Sequence, residues 1–391
     1  MQTHGTAIPH RFCDTLFLLL NMKTLNGKRC LFPTLASLML AASMTGCGLM
    51  HDDLEDCATR PSTHTSVKFV YDYNTSTKDM FNDHVGAVTL YVFDSTGGLI
   101  QQIERTNHDT NNSLKSPGFQ IDLDLTPGKY TVYAVAEGNP LGYEKSLDGA
   151  GAKFRRQALT PGDRIDAFAR VLDNESGIVN NAGVLIDTIW TSMEARELVI
   201  PEPPSIAEGE PQQPDSYVEA TIPLMRLTNK VHISFHQTDF PTALNIDDYD
   251  LWVTYPTGTS KFDIYGNYTA DAIPLTFHPY NRWNDKDESG KAFGHMTLGL
   301  PRFIYGSSEA DRPTLHIRNK ITSHETLIDF VALLAQGRDA FAPHNWSQQE
   351  YLDREYDYDL ALYLDDNIWK YAMVKVNILS WTKRVQNEEL H

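Results

Sequence analysis

VGAVTLYVFDSTGGLIQQIE, residues 85–104, is the stretch whose reading decides the fold. From Val85 to Asp94 it is apolar on both faces, as expected of a central strand covered on two sides. Ser95, Thr96, Gly97 and Gly98 then supply a turn, and LIQQIE returns as a second strand. Working outward, SVKFVYDY upstream places Val67, Phe69, Tyr71 and Tyr73 on one face at period two. Downstream, FQIDLDL alternates, Pro127-Gly128 turns the chain, and KYTVYAVAE sets small and aromatic residues on opposite faces. No helix-period segment of useful length interrupts this series. Short strands at this spacing predict an all-β sandwich.

The second part of the chain repeats the style in PLMRLTNKVHISFH, DLWVTYP, IPLTFHP, HMTLGLPRFIY, PTLHIRN and ETLIDFVALL, all between Pro223 and Leu334. Ser347 is placed to cap a short helix ahead of a further strand in SQQEYLDREYDYDLALYLDD. The chain closes with IWKYAMVKVNILSW, a long β-run from Ile368 to Trp381 with Ala372, Val374, Val376 and Ile378 on one face. Between the two parts, IPEPPSIAEGEPQQPDS (200–216) carries five prolines and few apolar residues, and reads as an extended linker. The expected division is therefore a β-sandwich over 67–199, the linker, and a second β-sandwich over 217–391. The parts lack the self-similarity of a solenoid.

The N-terminus reads as an export and anchoring signal. Lys23, Lys28 and Arg29 precede a short apolar run from Leu31 to Ala42, too short and wrongly flanked to span a membrane. Residues 1–21 sit ahead of a better start at Met22. LASLMLAASMTGC, ending at Cys47, resembles a bacterial lipobox, which implies acylation of the Cys47 thiol at the head of the mature chain. At ~0.8 kcal/mol per buried CH₂, several acyl chains on one residue anchor durably where one would not. Asp52, Asp53, Glu55 and Asp56 follow; they resemble a surface-export signal of Bacteroidetes lipoproteins, or form a solvated spacer over 47–66.

Composition narrows the partners. The whole chain carries a net charge of −18, and losing the four basic and one acidic residues of 1–46 leaves 29 Lys plus Arg against 50 Asp plus Glu, a net of −21. Such a surface repels nucleic-acid phosphates and anionic headgroups. Once Cys47 is acylated, Cys57 is the one thiol of the mature chain, so no intrachain disulfide is available. Stability must then come from packing.

Catalytic and metal patterns are not found. His232 and His236 in KVHISFH share a strand face opposite Val231, Ile233 and Phe235, with no third ligand at a fixed spacing. Asp285, Asp287, Ser289 and Gly290 resemble the opening of a calcium loop, but Met296 stands where a bidentate glutamate is needed. Walker, Rossmann and nucleophile-elbow patterns are absent from the sequence. The chain is expected to be neither an enzyme nor a holder of a metal or cofactor.

In the order DDLEDC, VKFVYDYN, VGAVTLYVFDSTGGLI and LTPGKYTVYAVAEGN, these motifs resemble the fimbrillin-A-associated anchor family of Bacteroidetes fimbriae. The likeness runs well from Cys47 to Asn139, more loosely through LMRLTNKVHISF and ILSWTKRVQNEEL, and fails over residues 138–213. It implies two transthyretin-like, Greek-key sandwiches and a role at the base of a fimbrium, with fimbrial subunits and the outer membrane as partners. In such fibres an extended segment of one subunit fills a groove in its neighbour, so that main-chain hydrogen bonds supply affinity. Polymerising subunits lose their first strand to a protease. Here NTSTKDMFNDHVGA, after the first strand, contains no arginine, and Arg60 lies upstream of it. The strand Val67–Tyr73 is expected to stay in place, fill its own groove and so end the fibre. Ile368–Trp381, with Val374, Val376 and Ile378 as pocket-filling residues, is either a strand donated to the fibre or a permanent inner strand. The alternative function is a surface lipoprotein that binds a glycan or host protein, with Trp252, Trp283 and Trp346 available to stack on sugars.

Overall fold

The computed structural model describes residues 61–389, except 108–113, 139–153, 180–182, 184, 205–213, 240–242, 307, 366–367 and 379–380. Cys47, the acidic residues from Asp52 to Asp56 and the leader lie outside the described residues.

The hairpin that opened the sequence reading is β2 (Ala87–Phe93) and β3 (Leu99–Thr106), antiparallel, with β1 (Thr63–Val70) before it. Its turn is held by Asp94, whose Oδ1 accepts from Thr96 N at 2.8 Å and Gly98 N at 3.1 Å, while Gly97 takes φ +83°. Then come β4 (Gln120–Leu123) and β5 (Gly128–Glu137). The Pro127-Gly128 turn is closed by Tyr130, whose hydroxyl donates to the Thr126 carbonyl at 2.8 Å.

The poorly matched middle contributes β6 (Phe154–Arg156), β7 (Arg170–Leu172), β8 (Ile178–Val179), β9 (Ile189–Ser192) and β10 (Arg196–Ile200). After it come β11 (Ser216–Arg226) and β12 (Thr228–Gln237). The first sheet runs β3-β2-β5-β9-β11-β1-β4, with β10 also on β5. Val67 and Phe69 of β1, Ile121 of β4, Leu90 of β2 and Val132 of β5 meet in one hydrophobic cluster, so this sheet encloses its own core. The opposite face of β2 and β5 is covered by Phe168 and Ile264, which pack on Tyr91, Phe93, Tyr133 and Val135. This second cover explains why residues 87–93 are apolar on both faces.

The expected linker is a connection within this first sheet. β10 ends at Ile200 and β11 begins at Ser216, and β11 pairs in parallel with β1 over its first eight residues. The boundary drawn at 200–216 therefore does not separate the sheets: proline and charge mark an exposed connection, but cannot say which sheet the next strand joins.

The remaining strands are β13 (Tyr249–Thr254), β14 (Lys261–Phe262), β15 (Thr276–Phe277), β16 (Asn281–Lys286), β17 (Ala292–Pro301), β18 (Thr314–Asn319), β19 (Glu325–Asp329), β20 (Asp357–Asp365), β21 (Ile368–Ile378) and β22 (Trp381–Glu389). With β8 and β12 they build a six-stranded sheet, β16-β17-β12-β20-β21-β22, and a five-stranded one, β19-β18-β13-β15-β8, while β14 joins β7 and β6 in a three-stranded sheet. Ile233 and Phe235 of β12 and Leu362 of β20 share a cluster with Leu251, Val253 and Ile317 of the other sheet, a sandwich core. The all-β class stands. Two short helices cap this core: Phe330–Ala335 and Gln348–Arg354.

Ser347 caps the second helix as read, accepting from Glu350 N at 3.1 Å. The first was read as strand and is not. Asp329 accepts from Ala332 N at 3.0 Å, and this cap turns FVALLA into a helix whose apolar face enters the core. The terminal run likewise ends as a strand at Ile378, and Trp381 opens another.

Candidate functional site: the first strand, the terminal sheet and their junction

β1 is hydrogen-bonded along both edges. It runs parallel to β11 from Thr63 opposite Ser216 to Val70 opposite Pro223, and antiparallel to β4 from Thr65 to Lys68. Val67 is fully buried, and Phe69 stacks on Phe81 at 5.6 Å and Phe119 at 6.1 Å. The sequence put Val67, Phe69, Tyr71 and Tyr73 on one face, and the structure divides them between two cores. Tyr71 closes the first cluster, whereas Tyr73 packs on the second, with Arg354 4.0 Å from its ring centre.

Tyr71 reaches a junction that the sequence did not reveal. It is fully buried edge-on to Trp190 of β9 at 5.6 Å, and burial pushes its hydroxyl pKa far up. Arg226, the last residue of β11, lies 5.6 Å from the Trp190 ring centre and 4.3 Å from that of Tyr356. His84 meets the same Tyr356 at 5.7 Å. Tyr356 leads directly into β20, so the cluster connects the first strand to the terminal sheet. The only sequence signal was a charge inside an apolar run, Arg226 in PLMRL. Beside Tyr356, Glu355 is raised to about 7, chiefly by burial, although its carboxylate accepts from Tyr356 N at 2.9 Å and Asp357 N at 3.1 Å.

The candidate donor β21 pairs antiparallel with both β20 and β22. Val374 is 1 % exposed and belongs to the sandwich core opposite Leu360. Val376 and Ile378 pair through the backbone with Lys383 and Trp381. Among the described strands, β22 at the end of that sheet pairs with β21 alone.

His232 and His236 face outward, opposite the fully buried Val231, Ile233 and Phe235. His232 Nδ1 lies 2.8 Å from Asp359 and its Nε2 3.2 Å from His295 Nδ1, a hydrogen-bonded pair of rings. Asp287 uses Oδ1 to accept from Ser289 N and Lys291 N at 2.9 and 3.0 Å, which makes the 285–291 stretch a self-closed turn. Among the described residues no group of three or more His, Cys, Asp or Glu could hold a metal. The three tryptophans share no face. Trp346 is buried beside Phe341, Trp283 is on β16 and Trp252 is on β13 of the other sheet. No helix of the described residues is long and apolar enough to cross a membrane.

A family model for fimbrillin-A-associated anchor proteins Mfa1 and Mfa2 matches residues 54–387. No curated protein sequence matches the chain. Among solved structures, a Bacteroides thetaiotaomicron protein described as a candidate polysaccharide-binding protein is 23 % identical, with TM-score 0.63, over 84 % of this chain and 100 % of its own. A candidate adhesin of the same species is 19 % identical, with TM-score 0.64, over 83 % and 99 %. The fimbrial anchor protein Mfa2 of Porphyromonas gingivalis is 16 % identical, with TM-score 0.52, over 82 % and 98 %.

Proposed function

The chain belongs to the fimbrillin-A-associated anchor family, and on that premise we propose that it tethers a fimbrium to the outer membrane and ends the fibre at its base. One observation carries the reading: β1 is paired on both edges, with Phe69 and Tyr71 sealed in the core. A sheet whose slot is filled by its own first strand leaves no room there for a strand of another subunit. The same strand lies downstream of Cys47, so a cut behind it would release the body from any lipid on that cysteine. An anchor of this kind keeps its strand, whereas a polymerising subunit gives it up.

On the fibre side, the terminal sheet is the surface of choice. Donation of Ile368–Trp381 requires β21 to leave two partners, so its double pairing favours the inner-strand reading and leaves β22 as the edge that meets a fimbrial subunit. The test is deletion of the gene, followed by electron microscopy of fibre length and assay of fibres in the medium. Longer, shed fibres are expected; fibres of normal length that stay attached would refute the anchor. Cys47→Ala should yield an unprocessed, unanchored chain, and undiminished membrane retention would remove the lipid from the account.

A further inference from the structure

A cleft of about 510 Å³ opens beside the five-stranded sheet, and no residue of β1, β21 or β22 lines it. Its size falls in the ~300–1,000 Å³ range of small-ligand sites. Leu251 and Met296 form an apolar floor, and the walls carry Trp252, Asp250, Arg282 and Arg318.

Trp252 is held as a flat wall. On β13 it stands opposite His316 of β18, and the two rings stack at 4.8 Å with 12° between their planes. His316 cannot swing away, because its Nδ1 lies 2.9 Å from Glu325 Oε1 and its Nε2 2.9 Å from Thr254 Oγ1. Among the described residues no second ring stacks on Trp252, and the indole is part of the cleft wall. The rings on the six-stranded sheet differ. His236 stacks on Tyr363 at 5.0 Å and Tyr363 on Tyr371 at 4.5 Å, so those rings spend their faces on one another.

Two guanidiniums border the same cleft, each in a long ion pair. Arg282 has Asp247 at 3.7 Å and Arg318 has Asp250 at 3.8 Å, both beyond hydrogen-bond reach. Each side chain is about half exposed, at 50 % and 48 %. Lys320 also lies 3.7 Å from Asp250, so in this group of ion pairs three cations meet two carboxylates, a local positive excess on a chain of net charge −18 that suits a carboxylate. A bare anion would not use the indole. Nucleic acid would bring a phosphate backbone against the acidic surface around the cleft.

We infer that this cleft binds a carboxylated sugar. The C–H face of a pyranose packs on Trp252, Arg282 and Arg318 receive the carboxylate, and Asp250 accepts from a ring hydroxyl. Such a site would let the anchor hold an acidic glycan independently of any fibre.

The test uses the purified full chain and three probes: N-acetylneuraminic acid, a galacturonate trisaccharide and a glucuronate-containing tetrasaccharide. Each is titrated by calorimetry beside its carboxyl-reduced form. At least one acidic probe should bind, and its reduced form should bind at least tenfold more weakly. Arg318→Gln and Arg282→Gln should each weaken the acidic probe about tenfold and leave thermal unfolding unchanged. Trp252→Ala should abolish binding, with Trp252→Phe retaining part of it if the alanine variant does not fold. No binding by any probe, equal binding of acidic and reduced forms, or undiminished binding by the arginine variants would each overturn the inference.

Discussion

The guanidinium of Arg226 lies 4.3 Å from the ring centre of Tyr356, at the point where the end of β11 meets the start of β20. With Trp190 5.6 Å away and Tyr71 edge-on to it, this contact joins the sheet that holds the first strand to the sheet that ends the chain. A desolvated cation–π pair contributes ~2 kcal/mol. Arg226→Ala and Tyr356→Ala should each lower the urea midpoint, and a double-mutant cycle should return a coupling of about 1–2 kcal/mol. Additive effects would mean that the two groups are neighbours without interaction.

Phe69 tests the seating of the first strand. It is 6 % exposed and stacks on Phe81 and Phe119. Phe69→Ala should cost ~3–5 kcal/mol by the lost transfer energy and the cavity left behind. Proteolysis near Arg60 should accelerate as β1 loosens, and fibre attachment should fall with it. A variant with normal stability would show that β1 is less firmly seated than its pairing implies.

Glu137 and Arg170 probe the cover over the outer face of β2 and β5. They are 5 % and 2 % exposed and ion-paired, and Arg156 reaches from the neighbouring β6 to Glu104 at 3.0 Å. Removing one partner of a buried pair leaves the other charge uncompensated, at ~3–5 kcal/mol. Glu137→Ala should therefore destabilise far more than Glu104→Ala, whose side chain is 36 % exposed. Denaturant melts of the two variants make the comparison.

Glu355 sets a pH dependence with a definite sign. Burial raises its carboxyl from 4.5 to about 7 in the folded protein, so between those values the native state holds a proton that the unfolded chain has released. Its contribution is fully present below pH 4.5, is lost as pH rises through the window, and is gone above about 7. Glu355→Gln should flatten that fall in stability, so that the variant gains on the parent toward neutral pH. Parallel curves for both proteins from pH 4.5 to 8 would exclude Glu355 as the source.

The terminal strand calls for a paired comparison. Val374 is in the core, so Val374→Asp should unfold the sandwich, as an unpaired buried charge does. Val376→Asp is the informative variant. If it is folded and displayed but cannot hold fibres, strand donation gains support; if it is folded and holds them, β21 is an inner strand in the working protein.

Strand existence was legible wherever alternation was strong. Val231, Ile233 and Phe235 point inward and His232 and His236 outward, as period two dictates. The helix at Phe330–Ala335 escaped notice because a short apolar run looks alike as strand or helix until its cap is seen. The junction escaped for another reason: Tyr71, Trp190, Arg226 and Tyr356 are far apart in sequence, and nothing local relates them. The cleft at Trp252 was half visible as an aromatic of unknown exposure, but its arginines carried no motif.

By itself, the amino-acid order determined the all-β class, most strand faces and the turn at 95–98, because each rests on residues within a few positions of one another, and it carried the kinship of the chain in the order of motifs from Cys47 to Asn139. Only the tertiary structure decided that β11 joins the first sheet and that Ser216 pairs with Thr63, 153 residues away. An alternating strand carries the same inward and outward pattern whichever neighbour it takes. The choice among neighbours is made by packing across the whole core, in which no short segment holds more than its own share.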